Sequence, residues 1–214
     1  MFRFRDRREA GARLARPLAA VVKGADVLVL GIARGGVVVA APVARELGAP
    51  LDVLVVRKLG VPGHEELAMG AIGHGGIRVM NWDVVDDLSI DQRTIDRIAK
   101  RETAVMERRR RAYRGDASPP RVTGRTVIVV DDGLATGATM RAALLTLRRE
   151  RPAALIAAAP VGALTTCAML EPMATRVICL IRPRDLWGVG AWYEDFAPTT
   201  DEEIRDLLRQ PAPA

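Results

Sequence analysis

Short apolar runs alternate with longer amphipathic stretches along this chain, and that alternation predicts its architecture. The runs at 27–32, 51–57, 127–130, 153–160 and 176–181 are strand-length and mostly hydrophobic, without polar alternation. Such runs form strands buried on both faces, as in a parallel sheet. Between them lie helix-period patterns. Residues 5–22 place Leu14, Leu18 and Val21 or Val22 on one side, with Pro17 as a restart point. A second helix is expected over 36–47, with Gly48 suited to the position just past its end. Further helices are expected over 91–113, 140–147, 163–171 and 201–209, the last capped by Thr200 or Asp201. Strands alternating with helices predict an α/β fold: a central, mostly parallel sheet with right-handed crossovers, flanked by helices. One segment breaks the pattern. Residues 59–76 carry Gly60, Pro62, Gly63, Gly70, Gly73, Gly75 and Gly76, which predicts an irregular, mobile loop with at most a weak hairpin around 69–72 and 77–79.

Ligands of parallel sheets bind beyond the carboxyl ends of the strands. The most unusual strand end is Val127-Ile128-Val129-Val130-Asp131-Asp132-Gly133-Leu134-Ala135-Thr136-Gly137-Ala138-Thr139. Four β-formers are followed by two acids, then by small and hydroxyl residues that lead into a helix. Small residues let backbone N–H groups close on an anion, Thr136 and Thr139 add hydroxyl donors, and the helix contributes its positive end. The acids cannot hold phosphate without a metal, but they can accept hydrogen bonds from neighbouring hydroxyls. The combination suits a ribose 5-phosphate. A P-loop is excluded because no Gly-Lys-Ser/Thr follows the glycine, and Gly31-Ile32-Ala33-Arg34-Gly35-Gly36 lacks the glycine spacing of a dinucleotide fingerprint.

Composition narrows the setting. The chain has 214 residues and a net charge of +6, with lysine only at 23, 58 and 100 and arginine everywhere else a cation stands. One domain with a real core is the default at this length. No apolar run approaches the roughly 20 residues of a membrane span. Cys167 and Cys179, both in apolar contexts, fit buried thiols in a reducing cytoplasm. Arg108-Arg109-Arg110-Arg111 point all round a helix, so they read as solvated surface rather than as a nucleic-acid contact.

Three other groups of residues fall at strand ends. Arg34-Gly35-Gly36 follows the first strand, with two glycines for close backbone approach and a guanidinium fork suited to phosphate. Arg57-Lys58 ends the second strand and opens the glycine-rich segment, which suits a lid closing over an anion. That segment also holds Glu65, Glu66, His64 and His74, of which Glu66 is the candidate catalytic carboxylate. After the last core strand come Trp187, Trp192, Tyr193 and Phe196, four of the eight aromatic residues. They either stack on a planar ligand or pack against the N-terminal helix. Trp187, first after the strand, is the stacking candidate.

At 127–139 the chain resembles the type I phosphoribosyltransferases, whose signature is four hydrophobics, two acids and a small, Thr/Gly-rich loop. The run Arg57-Lys58-Leu59-Gly60-Val61-Pro62-Gly63 is similar to the matching stretch of adenine phosphoribosyltransferases. The resemblance implies a single domain over 1–214: a core of about 24–182, a flexible loop of about 59–76, and a hood from about 1–22 and 183–214. It implies a Mg²⁺-dependent transferase of 5-phosphoribosyl 1-pyrophosphate (PRPP), releasing pyrophosphate as a nitrogen nucleophile, such as a nucleobase, is joined to the ribose. In this reading Arg34, Gly35, Gly36, Arg57 and Lys58 hold pyrophosphate, often with a cis peptide at the first of these loops. Asp131 and Asp132 hold the ribose hydroxyls, with Asp132 meeting the metal. Ala135, Thr136, Gly137, Ala138 and Thr139 clamp the 5′-phosphate, and Trp187 meets the acceptor. Ala135 stands where hypoxanthine and guanine enzymes carry Asp, which turns the loop towards adenine. A cytoplasmic homodimer is the expected assembly. The alternatives are a PRPP-sensing regulator that binds nucleic acid and a phosphoribosyl-binding protein without transferase activity.

Overall fold

The computed structural model describes residues 2–22, 26–73 and 76–210, with the side chains of Glu65 and Glu66 outside that description. The apolar runs form five strands: β1 (Val27–Ile32), β2 (Leu51–Leu54), β6 (Thr126–Val130), β7 (Ala154–Val161) and β8 (Arg176–Ile181). They lie in the order β2-β1-β6-β7-β8, and every neighbouring pair is parallel. Strand periodicity divides their side chains between two cores. Val29, Ile128, Val130, Ile156 and Ala158 face α1 (Arg7–Val21) and α2 (Gly35–Glu46), where Leu14, Leu18, Val39 and Val43 cover them. Leu28, Leu30, Val127, Val129 and Ala157 face the other way, onto Met140, Ala143, Leu144 and Leu147 of α5 (Ala138–Arg148) and onto Cys167 and Leu170 of α6 (Leu164–Leu170). Pro17 lies inside a continuous α1 and starts no second helix.

From β1 the chain runs one way to β2, then crosses back to β6, β7 and β8 on the other side. The loops leaving β1 and β6 therefore diverge, opening a crevice at the switch point of the sheet.

The glycine-rich segment differs from the expected irregular loop. The strand expected over 51–57 ends at Leu54, and Arg57 begins β3 (Arg57–Val61) of a separate antiparallel sheet with β4 (His64–Ile72) and β5 (Arg78–Met80). Its order comes from side chains rather than from backbone propensity. Leu59, Val61, Met69 and Ile72 are buried against Val37 and Val38 of α2, Ile95 and Ile98 of α4 (Gln92–Arg114), and Ile204 and Leu207 of α7 (Asp201–Arg209). Glycines that break a local pattern are tolerated when every other residue reaches a core. His74 lies outside the described residues. A short helix, α3 (Trp82–Asp87), links β5 to α4 without having been anticipated. Among the described residues no helix is long and apolar enough to cross a membrane.

Ion pairs tie the small sheet to α4: Arg78 of β5 meets Asp96 at 3.0 Å in an exposed pair, and Arg57 of β3 meets Glu102 in a more buried one. Arg57 donates to Glu102 Oε2 from Nε at 2.8 Å and lies 2.7 Å away through Nη2, while Glu102 is only 6% exposed. Burial pushes the Glu102 carboxyl up, but the hydrogen bonds and charges of Arg57 and Arg101 outweigh it and hold the group below its usual value of 4.5. A depressed carboxylate stabilises the fold above its unfolded pKa, and that stabilisation is lost as pH falls through the folded value. Glu102→Ala should therefore cost about 1–3 kcal/mol at neutral pH by leaving Arg57 half-buried and unpaired. In urea titrations of both proteins, the gap between mutant and parent should narrow steadily below about pH 4.5; a gap that is unchanged at pH 3 would remove the ion pair from the argument.

Candidate functional site

The two loops at the switch point meet through the acids. Ala33–Arg34 is a cis peptide, as expected for this loop. Gly36 follows it so closely that an added Cβ would stand 3.0 Å from Asp131 Cα, and one on Gly35 would strike the carboxylate of Asp132. Any side chain here would push the β1 loop off the acid pair. The crevice thus brings Arg34-Gly35-Gly36 and Asp131-Asp132 together, as the sequence predicted.

Asp131 Oδ1 accepts from the Asp132 N–H at 2.9 Å. Burial, together with the neighbouring Asp132 charge, pushes the Asp131 carboxyl well above the usual carboxylate range. Asp132 takes a different partner. Its Oδ2 accepts from Arg7 Nε at 2.8 Å, with the two side chains only 11% and 18% exposed. Arg7 also donates from Nη1 to the Ala197 carbonyl at 2.8 Å and lies over the Phe196 ring, 3.8 Å from its centroid. The Tyr193 hydroxyl donates to the Asp132 carbonyl at 2.6 Å. Burial, then the Asp132 charge, keeps that phenol protonated far above its ordinary range.

These contacts draw most of the aromatic cluster into packing between the two ends of the fold. Trp192 and Tyr193 are buried with Phe4, and Tyr193 packs against Phe4 and Phe196 at centroid distances of 5.6 and 5.0 Å. They join the C-terminal segment to the N-terminal one, and Phe4 and Trp192 also line a surface cavity. Trp187 is different, being 97% exposed.

The loop 133–139 is anchored from beneath. Leu134 N–H donates to the Val161 carbonyl at 2.9 Å and Ala163 N–H to the Leu134 carbonyl at 3.0 Å. The Thr166 hydroxyl donates to the Ala135 carbonyl at 2.6 Å. Gly137 takes a left-handed φ of 69° to start α5 at Ala138. Ala135, Thr136 and Thr139 stay exposed at the mouth, above the first turn of the helix.

The cations divide. Lys58 lines a cavity of about 230 Å³ together with Ala138 and Arg141, so it stands beside the start of α5. Arg34 is half-exposed, with Nη1 3.9 Å from Asp201 at the head of α7. Arg57 departs from expectation, since it belongs to β3 and its guanidinium is engaged by the Glu102 carboxylate of the chain itself. The candidate Glu66 has its backbone in β4 and its side chain outside the described residues. Of the arginine run, Arg110 bonds Glu107 and the Ala117 carbonyl, while Arg108, Arg109 and Arg111 are exposed, in keeping with solvated surface. Arg7, Thr166 and Glu102 were not singled out beforehand; each acts across a long stretch of chain, and no local motif marks it.

Removing Arg7 should expose the cost of adjacent charges. Arg7→Met leaves Asp132 beside Asp131 without a counter-ion, and should lower stability by about 3 kcal/mol in denaturant titrations. Arg7→Lys should recover less than half of that, because an ammonium cannot reach Asp132 and the Ala197 carbonyl while stacking on Phe196. Full recovery by lysine would mean that charge alone matters there.

Comparison with known proteins agrees with this geometry. Residues 8–194 match the family model described as the phosphoribosyl transferase domain. A Mycobacterium tuberculosis protein named as a phosphoribosyl transferase is 43% identical over 205 residues, covering 96% of this chain and 46% of its own length. The chain thus spans about half the length of the curated relatives it matches. A crystal structure from Thermus thermophilus shares 44% identity, covers 97% of this chain and 98% of its own, and superposes with a TM-score of 0.85. A Neisseria gonorrhoeae protein solved with bound ppGpp, 15% identical and covering 97% of each chain, has a TM-score of 0.52 and shares the fold. With the signature, the crevice and the family match in agreement, the chain belongs to the type I phosphoribosyltransferase family.

Proposed function

We propose that this chain is a Mg²⁺-dependent phosphoribosyltransferase that moves the 5-phosphoribosyl group of PRPP to a nitrogen nucleophile, with release of pyrophosphate. The observation that carries this reading is the crevice itself, where an acid pair, a two-glycine loop and an anchored Thr/Gly loop converge at one switch point. Among nucleobases the proposal favours adenine, on the strength of Ala135. It carries with it a cytoplasmic homodimer working in nucleotide salvage.

The residues divide the work. Backbone N–H groups at the head of α5, with the Thr136 and Thr139 hydroxyls, clamp the 5′-phosphate and so fix the ribose ring. Asp131 and Asp132 accept from the ribose hydroxyls. As the bond to pyrophosphate lengthens ahead of the new bond, the anomeric carbon gains positive charge and these carboxylates lie near it. Arg34, the Gly35-Gly36 backbone and Lys58 meet the departing pyrophosphate. Arg57, held by Glu102, supports β3 behind Lys58. Trp187 is the proposed face for the acceptor, and Glu66 the proposed catalytic carboxylate.

Among the described residues no group of three or more His, Cys, Asp or Glu could hold a metal alone. Two adjacent carboxylates beside a phosphate loop are instead the donor set for a Mg²⁺ shared with substrate phosphates. Asp132 and Asp131 would hold it, each keeping one carboxylate oxygen outside the bonds to Arg7 and to the Asp132 N–H. When bound, the ion supplies positive charge to the pyrophosphate oxygens.

Calorimetric titration should show PRPP binding at least about tenfold more tightly with Mg²⁺ than with EDTA. A nucleobase panel scored for pyrophosphate release then identifies the acceptor, and release with no base on the panel would count against transfer to a nucleobase. Asp131→Asn combined with Asp132→Asn should lower kcat/KM by about 10²-fold or more while circular dichroism stays native. Near-normal turnover would sink the assignment of both acids. Lys58→Ala should weaken pyrophosphate binding and leave ribose 5-phosphate binding unchanged, whereas equal losses would place Lys58 elsewhere.

A further inference from the structure

Two thiols that the proposed chemistry does not use sit beneath the phosphate loop. Cys167 of α6 and Cys179 of β8 are both free, and their sulfurs lie 3.2 Å apart. Space for them is left by Gly162, where an added Cβ would come within 2.8 Å of one sulfur and 3.0 Å of the other. Both cysteines had read as ordinary buried thiols in a reducing compartment. The fold instead makes them a contact pair drawn from two elements.

We propose that Cys167 and Cys179 form a redox modification site, which a small peroxide converts to an intramolecular disulfide, and that this disulfide loosens the phosphate loop. Three features support it. A disulfide needs its sulfurs about 2 Å apart, so closure asks for a shift of about 1 Å between α6 and β8. Cys167 is fully buried and Cys179 half-buried, which admits a small oxidant more readily than a protein thiol. The hydrogen bond between the two sulfurs lowers the Cys167 thiol, opposed by burial, helped by the Arg182 charge and opposed by Glu171, while the same bond and burial raise Cys179. Of the two, Cys167 is the sulfur favoured as thiolate.

The step balances with the peroxide as the only co-reactant. One thiolate attacks a peroxide oxygen, the O–O bond breaks, and hydroxide leaves to take up a proton as water. The second thiol, already in contact, attacks the sulfenic sulfur. The S–S bond forms as the S–O bond breaks, and a second water departs. Two thiols are oxidised by two electrons and the peroxide is reduced by two.

The link to the loop is short. Thr166, the residue before Cys167, holds the Ala135 carbonyl at 2.6 Å. Gly162 pairs with Leu134 of the same loop. Drawing α6 towards β8 moves the Thr166 anchor. This consequence rests on the phosphate-loop reading given above, whereas the modification itself does not.

The test uses the full chain, first reduced and then treated with stoichiometric hydrogen peroxide. Intact mass should fall by two hydrogens. Digestion without reductant should yield one linked pair of peptides carrying Cys167 and Cys179, and dithiothreitol should reverse both changes. Cys167→Ser and Cys179→Ser should each fail to lose two hydrogens. Ribose 5-phosphate, titrated by calorimetry, should bind about fivefold more weakly to the oxidised chain than to the reduced one. Thiols that survive, that stop at separate oxygen adducts, or that link two chains would overturn the modification site. A disulfide that forms and leaves the affinity unchanged would overturn the coupling to the loop. If even the reduced chain does not bind ribose 5-phosphate, the phosphate-loop reading fails, and the mass change still decides the disulfide.

Discussion

Two carboxylates side by side at the end of a buried strand create a charge problem that much of the molecule is arranged to meet. Each is short of solvent, and each raises the cost of ionising the other. Asp131 absorbs part of that cost by holding its proton more tightly. Asp132 is matched by Arg7, and Arg7 is immobilised by a carbonyl and an aromatic ring from the far end of the chain. The N-terminal helix and the C-terminal aromatic segment thus meet over a site that neither contains. Their packing is apolar at Phe4, Trp192 and Tyr193 and ionic at its inner edge.

The same logic explains the glycines of the β1 loop. The sheet places the loop leaving β1 directly beside the one leaving β6, and only a backbone without Cβ atoms can lie against the acids. A sheet with a different strand order would separate these loops, and no local sequence could restore the crevice. α2 binds the arrangement together. It begins at that loop and is buried on two sides, against the main sheet through Val39 and Val43 and against the small sheet through Val37 and Val38.

How much was legible in the sequence depended on the range of the interaction. The run 127–139 announced its strand, its acids and its loop because strand, turn and helix signals stand next to one another. The five core strands were legible for a similar reason, since burial on both faces leaves an unbroken apolar run. The small sheet was not, because its glycines speak locally for a loop while Leu59, Val61, Met69 and Ile72 are ordered by helices far from them along the chain. Arg57 illustrates the same limit. As a residue type at a strand end it resembles an anion ligand, and only the approach of Glu102, 45 residues on, gives it another partner. Arg7 lies 125 residues from the acid it neutralises, and nothing around it distinguishes it from the other arginines of its helix.

The pairing of Phe4 with Tyr193, and of Arg5 and Phe4 carbonyls with the N–H groups of Asp195 and Glu194, has a consequence for biosynthesis. A ribosome delivers the N-terminal half of this contact first and its complement only after every strand of the main sheet. The parallel sheet can assemble while the chain is still being made. The clamp on Asp132 cannot, because Tyr193, Phe196 and Ala197 have yet to emerge. During that interval the acid pair stands beside an arginine with nothing to hold its orientation. The last stretch of the site to be synthesised is therefore the one that sets its electrostatics.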